Sequence, residues 1–318
     1  DGIDSYFVWI PRYAYRIVYF KDEASKNEYK NGTITEEEAI EQKKIVGYSD
    51  SRGIVTAEGK RVDSITSSSN TTHIMVSKDY FTPHPAFLDG TDNGFENGEW
   101  DDELEGLWIG KYETSRSDAT SSSAGSGTIL KVQPGVQSWR NQTIANLYNS
   151  ALTYCRELES HMLKNSEWGA VTYLTESAYG RNGTEVTSNM NNDSITGGGI
   201  ENEYVSNYNQ SSTGNIYGTY DLAAGSYEYV AGYNKLKLSS QSTAIFNGNS
   251  DKYSTAYQGH SASSTFKYGD ATLETKGWHK DYGGEFDGNQ LYYIRSADYG
   301  DGEEATGIFY YIIGRWNA

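Results

Sequence analysis

Side chains able to do catalytic chemistry are few in this 318-residue chain and widely spaced. The single cysteine, Cys155, has no second thiol to pair with, and on an apolar helical stripe a thiol behaves as a small hydrophobe rather than a nucleophile. The five histidines, His73, His84, His161, His260 and His279, show none of the HxxH or HExxH spacings that put two imidazoles on one helical face. No histidine metal site is expected. Asn191, Asn192, Asp193 and Glu201, and the acidic stretch from Asp89 to Glu105, offer oxygen ligands, so calcium is the one cofactor left open. The plainer reading of both is a solvated acidic loop, since neither matches an EF-hand pattern. Gly197 to Gly199 follows no strand that opens a helix, which gives phosphate binding little support.

The chemistry best represented is recognition. From Trp278 to Ala318, bulky rings, single charges and small residues alternate with neither helical nor strand period. Trp278, Ile294, Ile308 and Phe309 are expected inside. Tyr292, Ser296, Asp298, Tyr299, Asp301, Glu303, Glu304, Tyr310, Tyr311, Ile313, Arg315 and Trp316 are expected on a ligand-binding surface, where rings supply area at low entropy cost and charges supply selectivity.

Composition narrows the partners. Lys and Arg total 26 against 43 Asp and Glu, a net charge of −17, and such a surface repels phosphate backbones and anionic lipid. Neither nucleic acid nor membrane insertion is expected. No run reaches the roughly 18 apolar residues of a spanning helix, and the opening DGIDSYFVWI has no basic or apolar leader region. Any export signal or anchor is expected to have been removed or to lie on another chain. Abundant Tyr, Gly, Ser, Thr and Asn beside only 4 Pro predict short strands, many turns and a hydroxyl-rich exterior.

The elements that must position these residues are partly legible. Tyr6 to Phe20 reads as one strand, at an edge or bulged near Pro11. Thr35 and Glu38 match a capping box opening a short helix through Lys44. His73 to Val76 and Leu107 to Tyr112 have strand character. Ile144, Leu147, Tyr148, Ala151, Leu152, Cys155 and Leu158 recur at three- and four-residue steps, predicting a helix with one buried stripe. A second helix starts at Asn165 or Ser166, either of which can cap it, and carries Trp168, Val171, Tyr173 and Leu174 toward Gly180. Ile216 to Gly232 has strand character around a glycine turn, and Trp168, Tyr220 and Tyr229 are expected in the core. The divisions expected are a strand-rich part or small subdomain over 1–114, a flexible loop or linker over 115–137, and a core with a C-terminal binding segment over 138–318.

Several segments carry a family likeness in order: FVWIPRYAY, HPAF (His84 to Phe87), LWIGKYETS, SWRNQ (Ser138 to Gln142) and MLKNSEWGAV. Glu167, Trp168 and Ala170 are similar to the EW and following alanine of a family helix; Gly214, Asn215, Tyr220, Asp221, Gly225 and Glu228 resemble in order the GN, YD, GN and EW of a second element, with Ser226 and Tyr229 replacing Asn and the last Trp. The chain thereby resembles the formylglycine-generating-enzyme-like group of C-type lectin folds. Within that group it is similar to proteins of gut Firmicutes and their prophages that resemble targets of diversity-generating retroelements. Trp278, Asp281, Tyr282, Tyr292 to Arg295 and Gly307 to Phe309 match the C-terminal pattern. Ser296 and Ala297 stand where two glycines are usual, and no SFR strand precedes Ala318.

The resemblance implies an α+β domain of C-type-lectin type with short antiparallel strands, two helices and long loops. It implies a non-catalytic ligand- or receptor-binding protein, an adhesion module whose C-terminal segment is rewritten by adenine-directed mutagenesis. Display outside the cell, on a phage tail or bacterial surface, is expected, with a cell-surface protein or glycan as ligand and a phage-tail, envelope or pilus component as neighbour. A homo-oligomer stays open. Catalytic members of the wider fold need a copper-bound cysteine pair or an iron site of histidines, so no enzyme is expected. A structural subunit of an extracellular filament or pilus is the alternative, and a metal-dependent enzyme of the same fold the third reading.

Overall fold

The computed structural model describes residues 5–44, 47–50, 53–55, 61–62, 72–77, 82–89, 100–116, 118, 130–198, 203–234, 251–257, 267, 269–285, 292–302 and 306–314. In chain order these form β1 (Phe7–Pro11), β2 (Ala14–Phe20), α1 (Glu23–Lys30), α2 (Glu36–Ala39), β3 (Ile40–Lys44), β4 (Gly47–Asp50), β5 (Gly53–Val55), β6 (Arg61–Val62), β7 (Thr72–Ser77), β8 (Thr82–Pro83) and β9 (Gly106–Gly110). The helices α3 (Ile144–Tyr154) and α4 (Asn165–Glu176) follow, and then β10 (Glu228–Asn234), β11 (Thr255–Tyr257), β12 (Gly283–Glu285), β13 (Tyr292–Arg295) and β14 (Tyr311–Gly314). The class is α+β.

The run from Tyr6 to Phe20 is two strands, not one. Pro11 has no N–H to give a ladder, and the next donor, Arg12 N–H, turns to Glu105 O at 2.8 Å. β1 therefore pairs antiparallel with β9, Trp9 opposite Trp108, while β2 runs between β3 and β7 in another sheet. The capping box at Thr35 and Glu38 forms, but the helix it opens lasts one turn. Ile40 leaves it to pair with Phe20 and packs with Val18 and Phe20, so the helix expected through Lys44 is β3.

α3 buries Ile144 and Tyr148 and half-buries Leu147, Ala151 and Leu152. It stops at Tyr154. Cys155 is a half-buried cap residue outside helical geometry, and Leu158 is 80 % exposed, so the predicted stripe ends one turn early. Residues 117 and 119–129 of the expected linker lie outside the described residues, but its flanks are anchored. Ser115 exchanges backbone hydrogen bonds with Lys131, and Leu130 and Val132 are buried.

β10, β13 and β14 are the inner strands of a five-stranded sheet ordered β11-β10-β13-β14-β12. On one face Tyr293, Val230 and Ile313 join a core with Trp168, Tyr173 and Phe309 and with Tyr13, Tyr15 and Ile17 from the N-terminal strands. On the other, Tyr229, Tyr292, Ile294 and Ile312 pack with Ile144 and Tyr148 of α3. Trp168, Tyr220, Tyr229, Trp278, Ile294, Ile308 and Phe309 are all buried, as expected of core residues.

Candidate functional site

α4 is the hub that orients the site, and its capping differs from expectation. Lys164 is the N-cap, with its N–H bonded to Glu167 Oε2 at 2.7 Å. Asn165 is thereby released to accept from Arg295 Nε (2.9 Å) and to donate to the Tyr257 hydroxyl (2.9 Å). Trp168 Nε1 donates to Ile308 O at 3.0 Å, tying the helix to the C-terminal segment. Glu167 Oε1 also meets His161 Nε2 at 2.8 Å, while His161 Nδ1 meets Glu159 O at 2.7 Å. Both partners are acceptors, so both ring nitrogens hold protons. Burial lowers the His161 pKa, but the Glu167 charge outweighs it and raises the value.

Between β9, α3, the turn 155–163 and the start of β10 lies a cleft of about 990 Å³. Trp100, Trp139, Trp168 and Met162 are buried in its wall, whereas Phe7, Trp108, Tyr154, Leu158 and Tyr227 are exposed around its mouth. Trp108 is 66 % exposed and stands 5.2 Å from Trp9 across the β1–β9 ribbon. A cleft of this size with mostly apolar walls and a few convergent polar groups is the usual form of a small-ligand site. Among the described residues no lysine or arginine lines it. Lys164 lies behind the Trp100 ring at 4.3 Å and Arg116 over the Trp139 ring at 5.3 Å.

Glu113 and Glu228 are among the polar groups of the lining, and a third acid outside it, Asp221, adjoins both. Asp221, in the left-handed region at φ 62°, accepts from Gly197 N (2.9 Å), Asn189 Nδ2 (3.1 Å) and Glu113 N (3.3 Å). Burial still pushes its pKa up to about 6. Glu113 Oε1 accepts from Ser226 N at 3.1 Å, an approach that needs the glycine before it: at Gly225, φ 95°, a Cβ would sit 3.1 Å from that oxygen. Ser138 Oγ contacts both Glu113 Oε2 and Ser194 O. A hydroxyl has one hydrogen, so the set is satisfied when Glu113 is protonated and Ser138 donates to the carbonyl. Burial, with Glu228 and Asp221 nearby, raises Glu113 in that sense. Glu228 is raised to about 8 by burial and then by Asp221.

The C-terminal residues expected on the surface divide. Tyr292, Tyr311 and Ile313 lie on β13 and β14, inner strands covered on both faces, and are buried, which corrects the surface assignment for all three. Ser296 is buried with its Oγ bonded to Ala224 O at 2.9 Å, and Tyr310 is buried between Tyr227 and Tyr282, so these two are corrected likewise. Asp298 and Tyr299 are half-exposed and Asp301 exposed, on a turn where Asp298 Oδ1 accepts from Gly300 N at 3.0 Å. Glu303, Glu304, Arg315 and Trp316 lie outside the described residues.

The turn and the cleft are neighbours. Tyr227 lines the cleft and donates to Asp301 Oδ2 at 2.6 Å, and Tyr299 N–H reaches Gly225 O at 3.4 Å. Tyr227, Glu228 and Trp108 are the residues that sequence reasoning missed. The exposed positions of the β1–β9 ribbon, Phe7, Trp9 and Trp108, form a period-two pattern that was available as a signal.

Among the described residues no group of three or more His, Cys, Asp and Glu is placed to hold a metal ion. Asn191 Oδ1, offered as a calcium ligand, accepts from Asp193 N at 2.9 Å in a local turn; Glu201 lies outside the described residues. No family model matches the chain, and no curated protein matches it.

Proposed function

We propose that the chain is a non-catalytic ligand- or receptor-binding protein on a C-type-lectin-type frame of the formylglycine-generating-enzyme-like group. The single observation that carries this is the aromatic cleft of about 990 Å³ whose mouth joins the C-terminal turn through Tyr227 and Asp301. Exposed rings beside a deep apolar slot supply affinity, and the carboxylates supply choice. Asp298, Tyr299 and Asp301 are placed to vary without touching the core, as retroelement-driven rewriting of a surface requires; the buried tyrosines of β13 and β14 are not. Display on a phage tail or bacterial surface, with a cell-surface protein or glycan as ligand, is part of the same proposal.

The test is binding by the intact chain to bacterial cells and to immobilised surface glycans and proteins, with Trp108→Ala and Asp301→Ala as variants. Binding lost in both, with melting unchanged, supports the reading; binding retained in both removes the surface from it. One observation favours a second reading. The Trp9–Trp108 pair on an exposed two-stranded ribbon fits a contact between subunits of a filament or pilus. Open-ended assembly that Trp9→Ala abolishes would select that reading.

A further inference from the structure

Two hydroxyls in the cleft wall are buried without use. Thr219 is 2 % exposed and Ser226 7 %, both line the cleft, and among the described residues neither Oγ has a hydrogen-bond partner. A buried hydroxyl left unpaired costs free energy that a bound polar group would recover. Two residues beyond Ser226 stands Glu228, half-buried and also in the lining, with no donor or counter-charge from the described residues.

We infer that the cleft is a receptor for an organic ammonium group, seated on the Glu228 carboxylate with the Thr219 and Ser226 hydroxyls as further acceptors and its apolar body along the aromatic wall. The inference deepens the binding reading above and rests on it. Charge complementarity selects the ligand. The ionisable groups beside Glu228 are Glu113 and Asp221, both acidic, and its cross-strand neighbour Arg295 is already committed to Asn165 Oδ1 and to the carbonyls of Asp270 and Ala271. The charged groups elsewhere in the lining, Glu159, Glu167 and His161, are engaged with Lys252 and with each other. Within the cleft a neutral polyol would leave this acidity uncompensated, so a neutral glycan belongs to the exposed mouth and turn rather than to the Glu228 end. A bare divalent ion fits no better, since no set of three metal-type ligands closes among the described residues and most of the wall is apolar. An ammonium on an aromatic or aliphatic body meets both parts, and the tryptophan faces add cation–π attraction.

The ligand could be a free amine or a lysine side chain on a partner chain; the chemistry is shared and the probes separate the two. The experiment is calorimetric titration of the intact chain with 4-phenylbutylamine, with its neutral isostere 4-phenylbutan-1-ol, and with N-acetyl-lysine methylamide. The amine is expected to bind at least about tenfold more tightly than the alcohol. Glu228→Gln should erase that preference while leaving alcohol binding intact, and Thr219→Val, which deletes the unpaired hydroxyl, should weaken the amine selectively. Amine binding should also release protons and tighten from pH 6 to 9, because Glu228 must ionise to receive the cation. Lysine amide binding as tightly as the phenyl amine assigns the site to a peptide lysine; much weaker binding assigns it to a free aromatic amine. Equal binding of amine and alcohol, or a preference that survives Glu228→Gln, overturns the ammonium assignment while the cleft remains a site. Binding of none of the probes likewise overturns the ammonium assignment, while the binding reading stands or falls on capture of cells, glycans and proteins.

Discussion

The Tyr227 hydroxyl donates a 2.6 Å hydrogen bond to Asp301 Oδ2, joining the wall of the aromatic cleft to the C-terminal turn. Burial and the carboxylate both push the Tyr227 phenol up, so it stays protonated and remains the donor. Asp301 in turn accepts from Asp298 N–H at 3.2 Å, which holds the turn closed. Cleft mouth and turn are thus one surface.

The two kinds of C-terminal tyrosine should separate in unfolding experiments. Tyr292→Ala and Tyr311→Ala remove rings from inner strands and should each cost about 3–5 kcal/mol in urea unfolding. Tyr299→Ala, on the half-exposed turn, should change stability by no more than about 0.5 kcal/mol. Equal costs at all three positions would contradict the placement of β13 and β14 inside the sheet.

Asp221 is a brace rather than a contact residue. Its oxygens accept from the backbone at Gly197 and Glu113 and from the Asn189 amide, and deleting them leaves buried donors unpaired at about 1–3 kcal/mol each. Asp221→Ala should therefore be severely destabilising, and Asp221→Asn, which keeps one acceptor oxygen, markedly less so. Similar melting temperatures for the two variants would remove that role.

Stability should fall as pH rises above about 5. Glu228 is raised from 4.5 to about 8 by burial and Asp221, and Glu274 to about 8 chiefly by burial. Each binds its proton more tightly folded than unfolded. Their contribution is thus fully present below the unfolded value and is lost as pH climbs through the folded one. Thermal melts from pH 5 to 9 should show a falling Tm, and Glu228→Gln should flatten part of that slope. A Tm that rises across this window would contradict the raised values of both acids.

The His279–Glu176 pair should matter more than a surface ion pair. His279 Nε2 meets Glu176 Oε2 at 3.0 Å, and the imidazole lies parallel to the Phe309 ring, 6.1 Å between centroids. Burial lowers the His279 pKa, but Glu176 outweighs it and holds the value at about 9. Removing the imidazole strands a buried carboxylate, so His279→Gln should cost about 3–5 kcal/mol at pH 7. His279→Gln paired with Glu176→Gln should recover much of that loss.

Elements with a strong local signal were legible in the sequence. The α3 stripe up to Leu152, the capping box at Thr35 and the strands at His73 to Val76 and from Leu107 formed where the residues indicated. The tyrosines of β13 and β14 misled because a strand buried on both faces shows no alternation, and a tyrosine-rich run without period resembles a binding loop. Asn165 looked like a cap and became part of a buried network with Arg295 and Tyr257, partners about 130 and 92 positions away that no local pattern announces. The acids around the cleft were invisible for the same reason: Glu113, Asp221 and Glu228 meet only when β9, the 221–227 turns and β10 are assembled.

The proposed contact surface is the cleft mouth together with the adjoining turn. The most direct measurement is capture of bacterial cells and of arrayed surface glycans and proteins by the wild-type chain and by the double variant Trp108→Ala/Asp301→Ala, both checked for an unchanged melting curve. Specific capture by the wild type is expected, falling at least about tenfold in the variant. Capture undiminished in a folded double variant would contradict it.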